Sequence, residues 1–95
     1  MDLNFVELFN KIVDLAKPVH AAKSHASSLD AELQDLGIDS LDTILISIYF
    51  GDIYGIDEET MKQMRVTTIK DLQDFLLSHA THTPQTIEEA MGRVQ

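Results

Sequence analysis

Apolar residues along this chain fall into separated blocks, and three of the blocks repeat with the period of a helix. Leu8, Phe9, Ile12, Val13 and Ala16, with Phe5 before them, make one stripe. Asp2 or Asn4 is placed to cap this first helix, and Pro18 stops it soon after Ala16. A second helix is predicted from about Ser40 to Tyr54, with Gly55 as its C-terminal cap. At ~1.5 Å per residue it would be about 20 Å long. A last helix begins near Thr67 or Thr68, where Thr68 and Asp71 form a capping-box pattern. It carries Ile69, Leu72, Phe75 and Leu76 on one face. Between the two, Asp57-Glu58-Glu59-Thr60 opens a short turn through Met61 and Met64. No segment alternates as a strand would.

The segment from Lys17 to Asp39 has little early periodicity, and a loop this long is unusual in a compact domain. Leu29, Leu33, Leu36 and Ile38 are spaced to hold it down, with at least one helical turn ending at Gly37. The prediction is therefore an all-α domain over residues 1–79, a small bundle of three principal helices plus a short one, with a long first loop. Residues 80–95 form a C-terminal tail. Thr83-Pro84 marks a turn or helix start, and Ile87, Ala90, Met91 and Val94 share a face if that segment is helical. Gly92 and the short length make an isolated helix marginal, so the first reading is a mobile tail. Docking on the bundle or on a partner is the alternative.

Composition narrows the class. The chain has 95 residues, 44% of them apolar, which suits one domain with a limited core. Without cysteine it has neither disulfides nor thiolate metal sites. No apolar run approaches a membrane span. Met1-Asp2-Leu3-Asn4 lacks the basic region of a signal peptide, so a cytoplasmic protein is expected. Sixteen acidic residues against seven basic ones give a formal charge of −9. Such a surface repels nucleic acid and attracts basic partner surfaces, although acidity also serves solubility alone.

The densest chemical signal is Gly37-Ile38-Asp39-Ser40-Leu41-Asp42. Gly37 frees the backbone before the turn, Asp39 is a plausible N-cap, and Ser40 falls in the first helical turn. A phosphodiester on the Ser40 oxygen would lie at the positive end of the helix dipole. These residues resemble the attachment motif of acyl carrier proteins, where an Asp-Ser-Leu segment carries 4′-phosphopantetheine on the serine. Leu33 and Asp35-Leu36-Gly37 before it, and Tyr54-Gly55-Ile56 and Val66-Thr67-Thr68-Ile69 after it, fall at family-like distances. The resemblance covers roughly residues 3 to 79 and includes the long first loop and the four-helix bundle.

The resemblance implies a carrier rather than an enzyme. A phosphopantetheinyl transferase would load Ser40 from coenzyme A, and acyl-transferring or chain-elongating enzymes would use the thioester. The cargo class would be fatty-acid-like or polyketide-like. Peptidyl carriers of nonribosomal pathways more often have Gly-Gly before the serine and lack the preceding Asp. Asp39, Leu41 and Asp42 match contact positions of the family, and each also has a structural role open to it. A hydrolase based on Ser40 is disfavoured, because Ile38 and Asp42 occupy the glycine positions of a Gly-x-Ser-x-Gly elbow. A non-carrier acidic interaction module is the remaining alternative.

The second helix departs from the family pattern. Many bacterial carriers place glutamates along its outward face. By register from Ser40, the outward positions here are Leu41, Ile44, Leu45, Ile48, Gly51 and Asp52, while Ile46, Phe50 and Tyr54 face the core. A helix apolar nearly all round is either buried on both sides or carries an exposed strip. An exposed strip would dock partners through Ile44, Leu45 and Ile48 by apolar contact in place of charge. In the other case the first loop or the tail covers it. A monomer is expected, with self-association through the strip as a further possibility. Met61 and Met64 fill the core or border an acyl chain. His79 and His82 lack a third ligand nearby in sequence, His20 and His25 are loop residues, and no metal site is expected.

Overall fold

The computed structural model describes residues 3–16 and 25–94. Asp2, Pro18 and His20 lie outside them. Among the described residues the elements are helices α1 (Phe5–Ala16), α2 (Ser40–Tyr54), α3 (Glu58–Met61), α4 (Ile69–His79) and α5 (Ile87–Gly92), with a single 3-10 turn (Gln34–Leu36) before α2. The protein is all-α. Among the described residues an isolated antiparallel bridge pairs Glu32 with Thr68.

Each helix starts where a short polar side chain stands before an apolar stripe. The Asn4 side-chain oxygen accepts from the Glu7 N–H at 3.1 Å, so Asn4 caps α1. Asp39 and Asp42 cap α2 reciprocally, and Thr68 and Asp71 do the same for α4. Hydrogen bonds from the Thr68 and Thr67 N–H groups hold the Asp71 carboxyl below the ordinary carboxylate range. Bonds from the Thr60 side chain and backbone lower Asp57 similarly at the start of α3. Gly37 and Gly55 end the 3-10 turn and α2 in left-handed conformations, with φ of 72° and 65°.

The core forms where the stripes meet. Phe5, Leu8, Phe9, Ile12 and Val13 of α1 pack with Ile46, Phe50, Ile53 and Tyr54 of α2 and with Ile69, Leu72 and Leu76 of α4. Phe75, which shares the α4 stripe, is half-buried and its ring lies 4.5 Å from that of His79. The segment before α2 is tied to distant parts of the chain by its own backbone. Leu33 N–H donates to Thr67 O at 2.9 Å, while Ile69 and Lys70 donate to Ala31 O and Leu29 O. Two otherwise orphaned N–H groups at the start of α4 thus find their acceptors in this loop. Asn10 of α1 holds Ala26 through both its amide donor and its amide oxygen, and His25 pairs with Asp14 at 2.7 Å.

Beyond His79, as far as Val94, the chain packs against the core. The Thr81 and His82 N–H groups both donate to Tyr54 O at the end of α2. Thr86 caps α5, Ala90 is fully buried, and Ile87, Met91 and Val94 pack against the core. The helix is too short to persist alone, so tertiary packing supplies what local propensity lacks.

Tyr54 is fully buried, and that burial pushes its phenol up from 10.0 to about 12. The unfolded chain then loses its phenolic proton first as pH rises. The Tyr54 contribution to stability is fully present below pH 10.0 and is lost as pH climbs towards about 12, on the order of 2–3 kcal/mol. Denaturant melts across this range should show that loss in the native chain and a smaller one in Tyr54→Phe. Equal slopes for the two proteins would contradict the assignment.

Candidate functional site

Ser40 is the first residue of α2 and is exposed. The approach to it is fixed by local chemistry. Gly37 takes the left-handed turn and donates to Gln34 O at 3.1 Å. Ile38 then inserts into the core, anchoring the strand of chain immediately before the serine. Asp39 Oδ1 accepts from Asp42 N–H at 2.9 Å, and Asp42 Oδ2 accepts from Asp39 N–H at 3.3 Å. The capping role therefore falls to Asp39, which leaves the Ser40 hydroxyl outside the reciprocal cap. Thr43 donates its hydroxyl to Asp39 O at 2.9 Å and tightens the same turn. Asp39→Ala should cost about 1 kcal/mol by removing this cap. Urea melts of the variant check this, and an unchanged midpoint would assign the cap elsewhere.

The outward face of α2 behind Ser40 is apolar and open. Leu41 is 66% exposed, Ile44 56%, Leu45 37% and Ile48 53%. The two polar side chains nearest this strip turn back on the helix, since Ser47 donates to Ile44 O at 2.8 Å much as Thr43 does to Asp39 O. No charged side chain occurs from Thr43 through Gly51. The opposite face carries Ile46, Phe50 and Tyr54 into the core, as their register from Ser40 requires.

Gly51 departs from its predicted outward position and is buried. The chain entering α3 crosses it closely. A Cβ added to Gly51 would lie 3.2 Å from Ile56 O and 3.3 Å from Met61 Cγ. Ile56 N–H also donates to Gly51 O at 2.9 Å. Glycine at this point lets α3 and the turn before it close over the end of α2.

That close approach shapes a groove of about 610 Å³ between α2 and the α3 region. Its α2 wall includes Ile44, Ile48 and Gly51, and its other wall includes Ile56, Met61 and Met64. Ile44 and Ile48 thus belong both to the exposed strip and to the groove. Lys62 and Arg65 also line it, a contribution not apparent from sequence reading. Their three-residue spacing, in step with Met61 and Met64, was the available signal. The groove's lining on α2 starts at Thr43, one turn beyond Ser40.

Other singled-out residues go elsewhere. His82 lies 4.0 Å from Glu89 and His79 stacks near Phe75, so the two histidines have separate partners. Among the described residues no group of three or more His, Cys, Asp or Glu side chains is placed to hold a metal. No helix among them is long and apolar enough to cross a membrane. Comparison with family models, curated proteins and solved structures found no match to this chain.

Proposed function

We propose that this protein is an acyl carrier, with 4′-phosphopantetheine attached to Ser40. The observation that carries the reading is the exposed Ser40 at the head of α2, held by the Gly37 turn and the Asp39–Asp42 cap. A hydroxyl on a fixed, solvent-facing turn suits modification by another protein. A serine that is loaded rather than catalytic requires no activating base of its own. The first-turn N–H groups and the helix dipole favour a phosphodiester at this end of α2.

The architecture fits the same reading. On this reading α1, α2 and α4 (15 residues or fewer each) are taken as the long members and α3 as the short member of an acyl-carrier-like four-helix bundle, with α5 as an addition. When attached, the arm supplies a terminal thiol that holds an acyl group as a thioester. Ser40 anchors it, Asp39 and Asp42 fix the turn, and the groove beside Ile44, Ile48, Met61 and Met64 offers apolar walls of a kind an acyl chain requires. Fatty-acid-like or polyketide-like chains are the proposed cargo. The enzymes proposed to act on it are a phosphopantetheinyl transferase and acyl-transferring or chain-elongating enzymes.

The test is intact mass after incubation with coenzyme A, Mg²⁺ and a broad-specificity phosphopantetheinyl transferase, starting from unmodified protein. The expected result is a gain of one phosphopantetheine. A second reading, an interaction module that leaves Ser40 unmodified, draws on the exposed strip of α2. Failure of several transferases to load the protein would favour it.

A further inference from the structure

We infer that the chain following α4 is a strap whose Thr81 hydroxyl latches the turn between α2 and α3, and thereby sets the width of the groove. Thr81 is then a positioning residue for any apolar chain the groove receives. The inference stands on the groove walls and needs no modification of Ser40.

Three hydrogen bonds make the attachment. The Thr81 and His82 N–H groups donate to Tyr54 O at 3.0 and 3.1 Å, and the Thr81 hydroxyl donates to Gly55 O. Gly55 leaves room for that hydroxyl, since a Cβ there would collide with Thr81 Oγ1. The rest of the strap is anchored separately. Pro84 and Ala90 are buried, and Ile87 and Met91 pack against the core. The latch therefore ties the turn to a segment that is itself held down.

The other side of the same turn is the groove wall. Ile56, next after Gly55, is buried and donates its N–H to Gly51 O at 2.9 Å. Asp57 then caps α3, whose Met61 closes on Gly51. Four helical residues hold no position by themselves, and α3 packs chiefly on α2. The charged side chains at the rim do not bind the two walls together. Lys62 pairs with Glu58 and Glu59, and Arg65 donates to the Lys62 and Met64 carbonyls. Among the described residues no ion pair links either to Asp52 on the α2 wall. The distance of α3 from α2 is thus decided at the turn, which Thr81 holds from outside.

The test is backbone amide hydrogen exchange of the unmodified wild-type protein, Thr81→Ala and Thr81→Ser at one pH and temperature. An opening of α3 that left the strap in place would be insensitive to Thr81, whereas one that must release the latch feels its loss in full. In the wild type, the Ile56, Met61 and Lys62 amides should exchange faster than those of Ile12 and Val13, through local opening. Thr81→Ala should speed those three by about three- to tenfold, the worth of one hydrogen bond. Thr81→Ser keeps the hydroxyl and should stay near wild type. Leu36 and Gly37, whose amides bond within the 3-10 turn, should not change in either variant. Unchanged rates at Ile56, Met61 and Lys62 in Thr81→Ala would overturn the inference, even with a lowered urea midpoint. So would wild-type rates there equal to those of Ile12 and Val13, because α3 would then open only with the whole fold.

Discussion

Ser40→Ala should take up no phosphopantetheine under conditions that load the native chain completely, and should unfold within about 0.5 kcal/mol of it. The two halves of this expectation come from different atoms. In the proposed loading the serine oxygen displaces 3′,5′-ADP from the pyrophosphate of coenzyme A and gives up its proton, and alanine offers no oxygen. Stability is spared because Asp39 provides the cap to the Asp42 N–H, and Ser40 is exposed. Alanine is also a slightly better helix former than serine. Intact mass and a urea melt on the same preparation separate the outcomes. Loading that persists in the variant would move the attachment site to another hydroxyl. A large drop in stability would show Ser40 to be structural and weaken the case for a serine held out for modification.

Phe50→Ala should cost about 3–5 kcal/mol, a large share of the stability of a domain this size. Phe50 is fully buried on the inner face of α2, with its ring 5.5 Å from that of Phe5 and 6.3 Å from that of Tyr54. Truncation removes the transfer energy of the ring, both aromatic contacts and the packing of the space it fills. The ring lies between α1 and α2, so the cavity opens at the main helix contact. Denaturant melts read the loss, and a cost under about 1 kcal/mol would mean that the core collapses readily around the deletion. The contrast with Ile44 and Ile48 is instructive. On the same helix, the inner aromatic sets stability, while replacing the outer isoleucines should leave stability nearly unchanged.

The sequence is most legible where a few adjacent residues decide the outcome. Asp39 before Ser40, Thr68 with Asp71, and Gly55 after Tyr54 mark the ends of α2 and the start of α4, and the structure places these caps there. A capping hydrogen bond spans three residues, and a left-handed turn needs one residue without a Cβ. The stripe of α1 is equally readable, since Phe5, Leu8, Phe9, Ile12 and Val13 point one way on any helix that contains them. Ser40 stands out for the same reason: its position at the head of α2 follows from its immediate neighbours.

The outer face of α2 is different. Periodicity cannot separate inside from outside on a helix with apolar residues nearly all round, because each candidate face offers similar burial. The decision belongs to whatever packs alongside. α1 and α4 cover the Ile46, Phe50 and Ile53 face and leave Ile44 and Ile48 open, while the turn into α3 covers Gly51. α5 depends on distance in sequence too, since its short helix forms against a core built by residues far ahead of it. Local spacing determined α1, α2 and α4, their caps and the place of Ser40. Only tertiary packing decided which apolar surface remained exposed and where α3 and α5 closed, because burial is a property of pairs of elements that no single stretch of the chain contains.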